Sequence, residues 1–98
     1  MTETSQKRVA LVTGGGKGIG AEVSHRLAAA GHHVLIGDLD QTAATALAQQ
    51  LTTEGFSAQA IQLDVGHPNS IDDVFASIDQ QFGRCDILVN CAGIAKVF

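Results

Sequence analysis

The chain has 98 residues, 45% of them hydrophobic and 16% charged, with a formal net charge of −4. That length allows one small domain with a modest core, and the mild acidic balance gives no electrostatic reason to expect nucleic acid or an anionic membrane as partner. Residues 1–8 are polar and lead into an apolar run too short for a signal-peptide core, and no stretch approaches a membrane span, so a cytoplasmic location is expected.

The first apolar run, residues 9–12, is continuous, as in a parallel strand buried on both faces. Directly after it comes Thr13-Gly14-Gly15-Gly16-Lys17-Gly18-Ile19-Gly20. A glycine at the strand end permits a tight turn, another lets a phosphate approach the backbone, and a third lets the following helix pack close to the strand. The helix N-terminus then presents N–H groups and a positive dipole end to an anion. A phosphate-binding loop of the nucleoside-triphosphatase kind needs Gly-Lys followed by Ser or Thr; here Gly18 follows Lys17, and that reading fails.

Ile19, Val23, Leu27 and Ala30 recur at helical spacing and predict one buried helix face, with Gly31 placed as a left-handed terminator. Residues 34–36 form a second buried strand, followed by Asp38, about twenty residues after the glycine turn, where a carboxylate can bind ribose hydroxyls. Asp40 is the expected cap of a second helix that runs through Ala44, Leu47 and Leu51 to Gly55, leaving Asp38 free for a ligand. Gln59 and Gln62 interrupt the third run, residues 58–63, which places it nearer a sheet edge. Ser70 is a candidate cap for a third helix with Ile71, Val74, Phe75, Ile78 and Phe82 on one stripe and Gly83 closing it. A fourth run, residues 87–89, again reads as a strand buried on both faces, and core packing accounts for all three helical stripes.

The order is therefore β-α-β-α-β-α-β, an α/β fold with right-handed crossovers and helices on both faces of a parallel sheet. Cys85 and Cys91, and His25, His32, His33 and His67, lack the paired short spacing of a metal site, so no metal is expected.

Three motifs carry a family resemblance: Thr13-Gly14-x-x-x-Gly18-x-Gly20, Asp64-Val65 after the third strand, and Asn90-Cys91-Ala92-Gly93 after the fourth. Together with Asp38 they make residues 8–98 resemble the N-terminal part of a short-chain dehydrogenase/reductase. The resemblance implies a Rossmann-type three-layer sheet in strand order 3-2-1-4. It also implies an oxidoreductase that moves a hydride between a nicotinamide and a carbonyl or secondary alcohol. Cofactor contacts are expected from Gly14, Gly16, Lys17, Gly18, Ile19, Gly20, Asp38, Leu39, Asp64, Val65, Asn90, Ala92 and Gly93. Asp64 would meet the adenine amino group, and Asn90 would fix backbone near the cofactor. Cys91 replaces a family asparagine and reads as a packing residue.

Asp38 favours NAD over NADP by repelling the extra phosphate. Lys17 argues for NADP, but beside Asp38 it reads as solvated or loosely paired. The family's catalytic tyrosine, lysine and serine are expected beyond Phe98. The sequence contains no tyrosine, and Lys96 reads as a loop residue. No catalytic residue is assigned, and residues 1–98 are expected to be the cofactor-binding portion of an enzyme that is homo-oligomeric when complete, its small-molecule substrate undetermined. The alternative is a non-catalytic or truncated dinucleotide-binding module. The fourth strand is expected to leave an apolar edge that makes the isolated chain prone to association.

Overall fold

The computed structural model describes residues 8–64 and 68–91. In chain order the elements are β1 (Val9–Thr13), α1 (Gly18–Ala29), β2 (His33–Asp38), α2 (Gln41–Thr53), β3 (Ser57–Gln62), α3 (Pro68–Phe82) and β4 (Ile87–Asn90). The strands form one parallel sheet in the order β3-β2-β1-β4, as the family resemblance implies. No described helix is long and apolar enough to cross a membrane.

Because strand side chains alternate between faces, the sheet divides the core in two. Val12, Val34 and Ile36 face Ala28 of α1 and Ala44, Ala48 and Leu51 of α2 on one side. Val9, Leu11 and Leu35 face Leu63 and α3 residues Val74 and Ile78 on the other. Cys85 and Cys91 pack against opposite cores and are free thiols. The helix-ending glycines Gly31, Gly55 and Gly83 all have positive φ, at 100°, 94° and 71°.

The parallel ladder carries β2 beyond its apolar run at both ends. His33 pairs with Val9 on one side and Ser57 on the other, and Asp38 pairs with Gln62 of β3, so polar residues join the strand because their backbones have ladder partners. His33 also bonds Ser57 of β3 through its ring Nδ1.

Three expectations are corrected. The buried line of α1 is Gly20, Ser24 and Ala28, while Ile19 is 71% exposed and Ala30 is exposed. Close approach of the helix to the β1 turn leaves room for small side chains only, so Val23 and Leu27 flank the contact rather than centre it. Ser70 lies inside α3, which starts at Pro68, a residue suited to a first helical turn because it lacks the N–H that would be unpaired there. The Ser70 hydroxyl instead accepts the Asp64 N–H at 3.1 Å, tying the end of the β3 segment to α3. Finally, β4 is not buried on both faces: Ile87 and Val89 are half-buried, whereas Leu88 is 56% exposed. Its only strand neighbour among the described residues is β1.

Candidate functional site

All four strands run the same way, so the segments that follow them gather at one edge of the sheet. Gly14, Gly16, Lys17, Gly18, Ile19, Gly20, Asp38, Leu39, Asp64 and Asn90 lie along that edge or at the start of α1. Val65, Ala92, Gly93 and Lys96 lie outside the described residues.

The glycine turn is built by backbone contacts that side chains would prevent. Gly14 and Gly18 have φ of 65° and 58°, in the region where a Cβ is strained. A Cβ on Gly20 would overlap the carbonyl oxygen of Gly14 and stand 2.8 Å from its carbon and 2.9 Å from Gly15 Cα. Helix α1 thus begins directly on the turn. Its N-cap, Lys17, makes no side-chain capping hydrogen bond, and the first turn carries no acidic residue. The first N–H groups of the helix are left without a side-chain acceptor, which is the arrangement that suits a phosphate.

The turn is fastened to its neighbours on three sides. Gly15 N–H donates to the Gly37 carbonyl at 3.1 Å, and the buried Ser24 hydroxyl donates to the Gly15 carbonyl at 3.3 Å. Gly16 N–H donates to Asp38 Oδ2 at 2.9 Å. On the β4 side, the Thr13 hydroxyl donates to Asn90 Oδ1 at 2.7 Å, and Cys91 N–H donates to the Thr13 carbonyl at 3.0 Å.

Asp38 is therefore not a free strand-end carboxylate. Its Oδ1 also accepts the Asp40 N–H at 2.9 Å, so both oxygens are held by backbone amides. Each oxygen keeps a further lone pair, and the residue stays half-exposed, so the carboxylate can accept hydroxyl donors in a fixed orientation. Asp40 caps α2 as expected, accepting the Ala43 N–H at 3.1 Å. It also pairs with Lys17 Nζ at 3.3 Å, with both side chains largely in solvent. The Ala43 amide, followed by Lys17, holds the Asp40 carboxyl below its ordinary value. Ile19, at the start of α1, and Leu39, next to Asp38 in the chain, are 71% and 63% exposed and add apolar surface to this edge.

Gly15 and Ser24 also build this edge, and Thr13 and Asp40 do more there than the motif and the helix cap imply. For Ser24 a signal exists: it stands four residues after Gly20, continuing a line of small residues along the helix. The role of Thr13 depends on Asn90, seventy-seven positions away, and has no local signal.

The short chain dehydrogenase family model matches residues 8–98, and the chain belongs to that family. It is 45% identical to an uncharacterized oxidoreductase of Bacillus subtilis (strain 168) over 92 residues, covering 94% of this chain and 36% of that protein. The crystal structure of gox2181 superposes with a TM-score of 0.87 at 43% identity, covering 91% of this chain and 35% of that one. A metagenomic short-chain oxidoreductase in complex with NADP superposes with a TM-score of 0.81 at 29% identity, covering 86% of this chain and 38% of that one. The chain thus spans about a third of the length of the relatives it matches.

Proposed function

We propose that residues 8–98 are the cofactor-binding portion of an NAD(P)-dependent oxidoreductase that prefers NAD. The observation that carries this reading is the joint fixing of the glycine turn and Asp38. One hydrogen bond, Gly16 N–H to Asp38 Oδ2, sets a phosphate-suited helix N-terminus at a constant distance from a ribose-suited carboxylate. The open helix amides and the glycines at the turn fit a pyrophosphate, and exposed Ile19 and Leu39 fit the apolar faces of a dinucleotide. Gly14, Gly18 and Gly20 keep the backbone within reach of the pyrophosphate, with Gly16 and Lys17 between them. Asp38 accepts from the adenine ribose, Asp64 meets the adenine amino group, and Asn90 fixes backbone near the cofactor.

When bound, the nicotinamide supplies hydride chemistry, and in the complete enzyme the partner would be a carbonyl or secondary alcohol. The 98 residues contain no tyrosine, and none of them is assigned a proton-transfer role. The contribution of these residues is to bind and orient the dinucleotide. The complete enzyme is proposed to be a cytoplasmic homo-oligomer.

Calorimetric titration with NADH and NADPH tests the reading. NADH is expected to bind more tightly, and Asp38→Ala is expected to weaken NADH at least ten-fold, roughly the size of one lost hydrogen bond to a charged group. Equal affinity for the two dinucleotides would overturn the NAD preference, and binding of neither would overturn the cofactor site.

A further inference from the structure

The NAD preference just proposed rests on Asp38, yet the structure places two more charges around that carboxylate. Lys17 follows Gly16, whose N–H is bound to Asp38 Oδ2, and Asp40 donates its own N–H to Asp38 Oδ1. The two side chains meet at 3.3 Å on the solvent side. Asp40 stays ionised at neutral pH, because the Ala43 N–H and Lys17 both favour its charged form.

We propose that Asp40 is a specificity-determining residue which holds Lys17 in an ion pair and so keeps the ribose corner unfavourable to a 2′-phosphate. The inference rests on the cofactor site proposed above. With Asp38 on the ribose hydroxyls, a phosphate on that ribose would enter the space flanked by Lys17 and Asp40. Two carboxylates and one ammonium leave the corner with one net negative charge, while the phosphate brings about two more. The ammonium that could offset it is engaged by Asp40. Removing the Asp40 charge brings the corner to neutrality and releases Lys17. The pair is exposed, and an exposed pair is easily broken, so discrimination here arises from the sum of charges more than from rigid geometry.

The test is the ratio of Kd for NADPH to Kd for NADH across four proteins: the natural one, Asp40→Asn, Lys17→Met, and the double variant. Asparagine is as good an N-cap as aspartate, so α2 keeps its start. Asp40→Asn is expected to lower the ratio about five-fold, as one nearby charge does at the protein surface. Lys17→Met is expected to raise it. The double variant restores the net charge and is expected to return the ratio to near its original value. Raising the salt concentration should shrink all these differences, because exposed charges are screened.

An unchanged ratio in Asp40→Asn, with NADH still bound by the natural protein, overturns this inference and leaves the cofactor site standing. A lowered ratio that persists in the double variant also overturns it, because Lys17 would then play no part. Failure of the natural protein to bind either dinucleotide removes the cofactor site itself and this inference with it.

Discussion

Gly18 and Gly20 belong to the same turn but are glycine for different reasons. Around Gly18 there is open space, and its constraint is the left-handed backbone at φ 58°. Gly20 is helical, and its constraint is the Gly14 carbonyl lying where a side chain would be. Alanine at position 18 should therefore cost about 1 kcal/mol in backbone strain. Alanine at position 20 should cost about 3 kcal/mol or more, because backbone must shift on both sides of the contact. Urea denaturation of the two variants checks the order, and equal midpoints would mean that the close approach is not tight. Ser24→Ala removes a buried hydroxyl that holds the Gly15 carbonyl, and a loss of about 1 kcal/mol is expected by the same measurement. The glycine spacing shows in the sequence because it follows from local backbone geometry. For Ser24 the sequence shows only a small residue in line with Gly20; its bond to the Gly15 carbonyl does not show, since it depends on how closely two elements dock.

Among the elements, the start of β4 is fixed by a device that neither strand contains. Asp86 N–H donates to the Val9 carbonyl at 2.8 Å, and Asp86 Oδ2 accepts the Val9 N–H at 2.9 Å, so one residue closes the first rung of the β1–β4 ladder. Arg84 grips the same carboxylate at 2.9 Å. The Arg84 guanidinium, and then the Val9 amide, lower the Asp86 pKa below its ordinary value. A lowered folded-state value means that the stabilisation is full above the unfolded-state value, about pH 4, and is lost as pH falls through the folded value. Asp86→Asn should accordingly melt lower than the natural protein at neutral pH, and the gap should close in acid. A gap independent of pH would show that the carboxylate charge is not what matters. The strand and helix order was legible from apolar runs and glycine stops, whereas the α1 face and the place of Ser70 were not. Periodicity marks which residues are apolar, but which line of a helix meets the sheet depends on what the sheet offers.

For the molecule as a whole, the two cores differ in how well they are covered. The face under α1 and α2 is closed by two helices, and the opposite face by α3. Leu88 of β4 and Phe75 of α3 remain exposed at 56% and 38%, next to Leu11 and Leu63 in an apolar groove. One side of β4 carries unpaired backbone among the described residues, and an apolar strand edge of this kind pairs readily with another chain. The 98-residue chain is expected to self-associate as its concentration rises, and Leu88→Lys is expected to reduce this. Light scattering during size-exclusion chromatography measures both. A natural-sequence monomer at every concentration would contradict the expectation.

The sequence by itself determined the family, the alternation of strands and helices, the glycine turn and the acidic residues at the strand ends. Each of these is a local pattern, readable from spacing and side-chain type. Only the tertiary structure decided that Asp38 is held by two backbone amides, that Asp40, besides its expected capping of α2, engages Lys17, and that Thr13 locks onto Asn90. These contacts join residues from different elements, and their partners are chosen by the register of a parallel sheet. Strand pairing of that kind is non-local, so no window of sequence contains both halves of any of these bonds except the short one between Asp38 and Asp40.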